Sequence, residues 1–399
     1  MIKQFFGREF SIGLIVIGFL YVFALAGYFL GFNEFLLLVL ALATLFLTLA
    51  NFEFGICLAF LELFSSPHGQ LLSTEIFGFD ISLRMAIFAA VMLGWGTHLI
   101  QKRTKFVFDE RGRIFAILFV AIIIGFIFGA LNNPIKDVFS DGNAYFYLLY
   151  LLPILSVRWT SKKQKNLLQL FAAGAVFSVA ITFISLYIFS HFNEAVLQVS
   201  YGFLRDLRIA EITDLGSGFY RVFQQTHFFV IALLLFIGSM ILQRARFSKV
   251  SFLATSIGLS IVLLSLSRSF WAGALVSLIV LIVLGLIAFK PRIKSLARLS
   301  GLSFASCLGA IGIILIVVMF PLPQKNISGS DLASVLAKRA TETDDVAVSS
   351  RWKLLDPMID QIRTNPLAGS GFGTEVTFES DDPRVRELNE TGTWSTYAM

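Results

Sequence analysis

Long apolar windows separated by short polar breaks recur along the whole 399-residue chain. A bilayer core requires about 20 apolar residues per helix, and eleven windows near that size are present. They run approximately over residues 10–31, 35–50, 52–64, 81–100, 114–131, 144–157, 167–190, 225–242, 250–266, 270–289 and 299–320. The third and sixth are short, so the count carries an error of about one. With 56% hydrophobic and 15% charged residues, the chain is predicted to be an all-α polytopic transmembrane helix bundle.

Lys and Arg residues divide the polar breaks into two kinds and so orient the chain, because cytoplasmic loops retain basic residues. With the N-terminus in the cytoplasm, the inward segments include "QKRTKFVFDERGR", "RWTSKKQK", "RARFSK" and "KPRIKSLAR". The short outward loops 31–34, 65–80 and 132–143 together contain one basic residue, Lys136. The net charge of +6 is then a topology signal, with contact to anionic membrane lipids as the alternative, and no nucleic-acid partner is predicted.

The same pattern predicts two domains. Residues 1–320 form the transmembrane bundle, and an odd number of spans leaves residues 321–399 outside as a helical loop domain. In "RWKLLDPMIDQIR", Trp352, Leu355, Ile359 and Ile362 recur at helical spacing. This spacing predicts an amphipathic helix that lies over the membrane surface.

Cysteines and histidines give no sign of a disulfide framework or a metal site. Cys57 and Cys307 both lie within predicted spans, and the four histidines lack ligand spacing such as HExxH. We therefore predict neither a metal nor a cofactor.

One arginine, Arg268, stands in "LSLSRSFWAGAL" within about forty nearly uncharged residues. That length suits two spans, so the polar "SLSRS" predicts a turn at the outer face. Arg221, in "GSGFYRVFQQTHFF", and Arg351 in the tail are predicted on the same side. Several arginines at one face can clamp a phosphate group, because a guanidinium donates two parallel hydrogen bonds and keeps its charge. The alternative for Arg268 is a membrane anchor that snorkels to lipid headgroups.

Three stretches resemble the polymerase and ligase domain of the O-antigen ligase family. They are "LSLSRSFWAGALVSLIVLIVLGL", "RWKLLDPMIDQIRTNPLAGSGFGTE" and, more weakly, "YRVFQQTHFFVIALLLF". The match covers about residues 200–376, with a family-like core over 200–320. This family usually enters another span where the present chain ends, so the resemblance implies 12 or more spans in the full protein.

The resemblance implies a metal-independent membrane glycosyltransferase of the GT-C type in a bacterial inner membrane. Its donor is a glycan on undecaprenyl pyrophosphate at the outer face, and its acceptor is a glycolipid, glycan or protein. Arg221, Arg268 and Arg351 match arginine positions of the family and are assigned to the pyrophosphate. Such arginines stabilise the negative charge that develops on the leaving group.

The general base is the point where the sequence departs from the family. Ligases carry a histidine late in the large outer loop, and the corresponding "NETGTWSTYAM" has none. His227, six residues after Arg221, is one candidate, with Glu375 as an alternative beside Glu379 and Glu390.

Three classes of function stay open from the sequence. The first is glycan transfer, by a ligase or by a polymerase of repeat units. The second is transport, including a lipid-linked glycan flippase, and the third is a non-catalytic assembly protein. Transport favours charged residues within spans and repeated halves, whereas Glu53, Glu62 and Arg84 stand near predicted helix ends.

Overall fold

The structure of the protein, a computed structural model, describes residues 5–105, 110–215, 219–244, 248–289, 293–321, 334, 336–337, 346–366, 369–380, 383–389 and 393–397. The chain forms two compact units, and each combines two stretches of sequence. The first unit consists of residues 1–94 and 159–340, and the second of residues 95–158 and 341–399.

Helices account for most of the described residues. In chain order they are α1 (Arg8–Leu30), α2 (Asn33–Ala50), α3 (Phe52–Ser65), α4 (Leu83–Ile100), α5 (Glu110–Asn132), α6 (Ile135–Phe146), α7 (Leu151–Ser156), α8 (Ser161–His191), α9 (Glu194–Asp206), α10 (His227–Arg244), α11 (Lys249–Leu264), α12 (Arg268–Phe289), α13 (Ile293–Met319), α14 (Val346–Thr364) and α15 (Pro383–Leu388).

Each of the eleven predicted windows coincides with helical backbone. Within the described residues, seven helices are long and apolar enough to cross a membrane: α1, α2, α4, α5, α8, α12 and α13. α10 and α11 are apolar but shorter, and the sixth window falls on a 3-10 turn, Tyr147–Tyr150, followed by the short α7. The mostly helical, polytopic membrane class is thus confirmed, while the number of spans stays a prediction.

Two of these helices leave most of their apolar side chains exposed. Ile117 on α5 is 75% exposed and Ile287 on α12 is 70% exposed. Large exposed apolar surfaces on a folded protein mark contacts with lipid or with partners. The core of the first unit lies instead between α8, α10 and α11, where Ala175, Val230 and Ile261 pack together. A second cluster joins α10 to α13.

Three two-stranded antiparallel ribbons interrupt the helices, and the sequence patterns did not predict them. They are β1 (Ser73–Ile76) with β2 (Phe79–Ser82), β3 (Glu211–Asp214) with β4 (Tyr220–Phe223), and β5 (Glu375–Glu379) with β6 (Thr393–Tyr397). Each strand has only four or five residues. A strand this short gives little alternation for a sequence pattern to detect.

Within the second unit, the predicted amphipathic segment is the helix α14. Its apolar stripe is exposed, with Trp352 at 68% and Ile362 at 55%. Its contact with a membrane surface stays a prediction, as does the division of the chain at about residue 320. The predicted division separates the membrane-spanning residues from those outside the membrane. The two compact units are defined by contacts within the chain, which do not show on which side of a membrane a residue lies.

The glycine-rich turn after α14 packs closely against α5 and α6. Gly371 has a φ of +88°, and a Cβ added there would collide with the backbone of Gly129. The backbone N–H of Phe372 donates to the Gly125 carbonyl at 3.1 Å, and that of Gly373 donates to Asp141 at 3.0 Å. These glycines therefore serve a close approach of two backbones.

Candidate functional site

The ribbon of β3 and β4 lies among several helix ends of the first unit. Arg221 stands on β4 opposite Thr213 of β3. Its Nε donates a hydrogen bond of 2.7 Å to the Ser265 carbonyl, just after the last residue of α11. The guanidinium lies 5.0 Å from the centre of the Phe223 ring, and Glu211 is 3.9 Å away. These contacts fix the orientation of the guanidinium plane.

The "SLSRS" segment forms the predicted turn, between α11 and α12. Leu266 adopts a φ of +43°, a conformation that non-glycine residues rarely take. The indole N–H of Trp271 reaches back to the Val262 carbonyl at 2.8 Å, which ties the first turn of α12 to the end of α11. Arg268 is the first residue of α12 and is partly buried. The contact between Trp271 and Val262 therefore fixes the position of the helix start that carries Arg268.

The structure brings the segments of Arg221 and Arg268 together. Arg221 binds the carbonyl of Ser265, three residues before Arg268. Phe223, two residues after Arg221, packs edge-to-face on Phe270, two residues after Arg268, with ring centres 5.2 Å apart. Two of the three predicted phosphate-binding arginines therefore lie on contacting segments. Arg351 lies in α14 of the second unit, and its side chain is outside the described part of the structure.

Further basic residues lie near the loop that follows α3. The pKa of His68 is lowered from its usual value, first by partial burial and then by the positive charges of Arg208 and Arg84, against an opposing effect of Glu211. Burial is the larger cause of this lowered pKa, and the two arginines contribute a smaller, positive electrostatic effect. Arg84 and Arg208 therefore add positive charge near the ribbon, while β3 contributes two carboxylates, Glu211 and Asp214.

His227, the predicted base, is fully buried at the start of α10. Its Nε2 is 2.9 Å from the Thr182 hydroxyl, and its Nδ1 lies 3.5 Å from the backbone N–H of Gln224. Since that N–H can only donate, Nδ1 accepts and Nε2 carries the proton, an assignment made from the network. Both ring nitrogens are thus engaged inside the protein. An acceptor hydroxyl would reach the ring only after this packing changed.

The partners of His227 form a closed polar cluster that sequence patterns did not predict. The Ser178 hydroxyl contacts Gln224 Oε1 at 3.1 Å and the Thr226 hydroxyl at 2.8 Å. The Gln224 side-chain amide donates to Thr182, and Thr182 donates to the Ser178 carbonyl. We call Ser178, Thr182, Gln224, Thr226 and His227 the His227 cluster. Its signal in the sequence was the four-residue spacing of Ser178 and Thr182 on one face of α8.

The alternative acidic candidates lie in the second unit. Glu375 begins β5 and is exposed, as is Glu379 at the end of that strand. Glu390 falls outside the described residues.

Two acids near helix ends of the first unit, Glu53 and Glu62, form ion pairs. Arg84 binds the buried Glu62 through two hydrogen bonds of 2.9 and 3.1 Å. Lys163 binds Glu53 at 2.6 Å. Over the residues that the structure describes, no group of three or more His, Cys, Asp or Glu side chains is arranged to hold a metal ion.

These features define a polytopic membrane protein with an arginine-bearing turn at one end of its helices. Residues 253–397 match the model of a protein family described as O-antigen ligase, Wzy_C. The resemblance predicted from the sequence is thereby confirmed, over a segment that contains Arg268, Arg351 and Glu375, whereas Arg221 and His227 precede it. No curated protein and no solved structure matches the chain.

Proposed function

We propose that the protein transfers or polymerises a glycan from an undecaprenyl-pyrophosphate carrier at the outer face of a bacterial inner membrane. The family match supports an O-antigen ligase-like membrane glycosyltransferase. In this proposal the N-terminus is cytoplasmic, and residues 321–399 form an outer domain. The acceptor is a glycolipid, a glycan or a protein.

One observation carries the proposed site: the hydrogen bond between Arg221 and the carbonyl of Ser265, at the turn that leads to Arg268. It joins two segments that are 44 residues apart in the chain. Two guanidinium groups on contacting segments suit a pyrophosphate, whose two phosphates each accept bidentate hydrogen bonds. Arg351 is proposed as the third donor.

Cleavage of the bond between sugar and pyrophosphate leaves negative charge on the pyrophosphate. Arginines fixed before the reaction stabilise this charge without having to reorganise, which lowers the barrier. The acceptor hydroxyl must lose its proton to a base, and His227 and Glu375 stay the proposed candidates. His227 requires an opening of its cluster, whereas the exposed Glu375 requires only a suitable position relative to the substrate.

Arg268→Lys tests the site in a transfer assay with purified protein and a lipid-linked donor. One ammonium cannot reproduce two parallel hydrogen bonds, and loss of a donor aimed at developing charge costs about 100- to 1,000-fold in rate. We expect transfer to fall at least about tenfold at equal membrane abundance. Arg363→Lys is the matched control, because Arg363 is exposed and forms an exposed ion pair with Asp360, one turn earlier on α14.

Two outcomes of this assay would count against the proposal. Near-normal transfer by Arg268→Lys would identify Arg268 as a membrane anchor. Activity that is lost in EDTA and restored by a divalent cation would contradict the metal-independent mechanism.

A deletion strain distinguishes the forms of the reaction. Long chains that stay unlinked to the acceptor indicate a ligase, and single repeat units indicate a polymerase. Lipid-linked repeat units that accumulate on the cytoplasmic side indicate the transport alternative instead.

The proposed topology is tested by labelling in spheroplasts with an impermeant thiol reagent, after replacement of both native cysteines. Thr377→Cys, on the exposed side of β5, should be labelled. Ser161→Cys, at the exposed start of α8, should not be labelled. The reverse pattern would overturn the proposed orientation of the chain.

A further inference from the structure

A cavity of about 530 Å³ opens between the end of α8, the helix α9 and the ribbon of β3 and β4. Its volume lies within the range of small-molecule sites, about 300–1,000 Å³. Its polar lining includes Glu194, Gln198, Tyr201, Asp214 and Tyr220. Phe189 and two other apolar side chains complete the wall.

The lining combines groups that suit a sugar. Carboxylates accept hydrogen bonds from hydroxyl groups, and the amide of Gln198 both donates and accepts. Aromatic rings such as Tyr201 and Tyr220 offer flat apolar faces together with a polar hydroxyl. A pyranose ring presents several hydroxyls around its edge and apolar C–H groups on its face. The two carboxylates, Glu194 and Asp214, disfavour an acidic sugar through repulsion of like charges.

Ser190 is the observation that indicates a ligand. Its side chain lines the cavity, and the residue is only 3% exposed. Its hydroxyl oxygen has no hydrogen-bond partner in the part of the chain that the structure describes. A buried hydroxyl without a partner costs free energy, and buried polar groups in folded proteins are almost always paired. A ligand hydroxyl in the cavity would supply the partner of Ser190.

The cavity and the arginine turn lie on opposite faces of one ribbon. Tyr220 and Arg221 are consecutive on β4, so their side chains point to opposite sides. Tyr220 lines the cavity and packs against Phe189, whereas Arg221 binds the turn before Arg268. A sugar in the cavity is therefore separated by the ribbon from a pyrophosphate at the arginines. This geometry fits a sugar other than the one bonded to the pyrophosphate.

We propose that the cavity binds neutral or amine-bearing sugar rings of the glycan substrate. The proposal rests on the proposed function for the identity of that glycan. The rings belong either to the distal part of the donor or to the acceptor, since both present the same hydroxyl chemistry.

The test measures binding of two oligosaccharides to the full chain in nanodiscs by saturation-transfer NMR and calorimetric titration. One is released by mild acid from the lipid-linked donor of the same bacterium, and the other is the delipidated acceptor glycan. Both lack lipid and pyrophosphate, so binding is observed without any transfer reaction. Binding of the first alone assigns the cavity to the donor, and binding of the second alone assigns it to the acceptor. Binding of neither contradicts the proposal.

Ser190→Ala, Gln198→Ala and Tyr201→Ala should each weaken this binding by about three- to tenfold, the effect of one hydrogen bond. Ser256→Ala is the matched control, because Ser256 is also a buried serine whose hydroxyl lacks a described partner, yet it does not line the cavity. Unchanged affinity in all three cavity variants would overturn the proposal, as would tighter binding of a uronic-acid tetrasaccharide than of a neutral tetrasaccharide of the same length.

The two proposals fail in different ways. If the probes bind and the cavity variants weaken them, while the purified protein transfers no glycan, only the proposed function is lost. If transfer proceeds and depends on Arg268, while the cavity variants bind and transfer as the wild type does, only the cavity proposal is lost.

Discussion

Two sites along the helix α8 differ in whether their buried hydroxyl groups have hydrogen-bond partners. Ser178 and Thr182 are buried in the His227 cluster, and each of their hydroxyls contacts protein partners at 2.8 to 3.1 Å. Ser190 is just as buried, about 12 Å beyond Thr182 along the helix, but its hydroxyl has no partner among the described residues. The first site is closed, and the second opens into a cavity.

This difference separates a structural role from a binding role. A closed network has used its donors and acceptors, so it stabilises the fold and has little capacity left for a substrate. An unpaired hydroxyl beside a cavity lowers stability in the empty protein and gains a partner when a ligand arrives. His227 belongs to the closed site even though it stands only six residues from Arg221. Its role as the base stays a prediction.

The ion pair of Glu62 and Arg84 is a second closed site, and breaking it should have the largest effect on stability. Glu62 is 1% exposed, and Glu62→Ala leaves Arg84 without its carboxylate. Removal of one partner from a buried pair typically costs about 3–5 kcal/mol. We expect a clear loss of thermal stability in detergent.

Glu53→Ala is the control for Glu62→Ala. Glu53 pairs with Lys163, and the side chains of both are about a third exposed, at 31% and 34%. Solvent-exposed pairs contribute about 0–1 kcal/mol. Equal losses in the two variants would show that burial does not distinguish the two ion pairs.

His227→Leu should have the next largest effect. It removes the partner of the buried Gln224 backbone N–H, and it removes one contact of the Thr182 hydroxyl, which keeps its bonds to Gln224 and to the Ser178 carbonyl. A buried donor without a partner costs about 1–3 kcal/mol, so we expect a lower melting temperature. If Glu375 rather than His227 is the base, transfer per folded molecule should stay within about twofold of the wild type, whereas loss of a base typically costs 100-fold or more.

A matched variant controls for the change at the helix start. Phe228→Leu alters the next residue, which is 53% exposed, and should change neither stability nor transfer. If His227→Leu folds normally but loses transfer by two orders of magnitude or more, then the cluster opens during the reaction and His227 is the base.

The sequence predicted the parts of this molecule that depend on long periodic patterns. Eleven apolar windows coincide with helices, and the turn around Arg268 follows from the length of residues 250–289. The resemblance of the "SLSRSFW" and glycine-rich segments was confirmed by the family match. The membrane fold needs such patterns because each span must be apolar over about 20 residues.

The sequence could not predict the sites that depend on contacts between distant segments. Ser190 gave no signal, since a serine near a helix end is common in any sequence. The His227 cluster joins α8 to a loop 42 to 48 residues away, and only the packing of α8 on α10 brings them together. The ribbon of β3 and β4 was missed for a related reason: its four-residue strands are defined by pairing rather than by composition.

The smallest expected effect is the stability of Ser190→Ala, and it tests the comparison directly. If the hydroxyl has no partner in the ligand-free protein, its removal takes away a desolvation cost and loses no hydrogen bond. The melting temperature of Ser190→Ala in detergent should then equal or slightly exceed that of the wild type.

Thr182→Val is the counterpart in the closed site, and it should lower the melting temperature because Gln224 and His227 lose the hydroxyl that they contact. With a saturating concentration of glycan, the melting temperature of the wild type should instead exceed that of Ser190→Ala. The ligand binds the wild type more tightly and therefore stabilises it more by mass action. A clear fall in melting temperature for ligand-free Ser190→Ala would show that the Ser190 hydroxyl already has a partner, and the distinction between the two ends of α8 would fail.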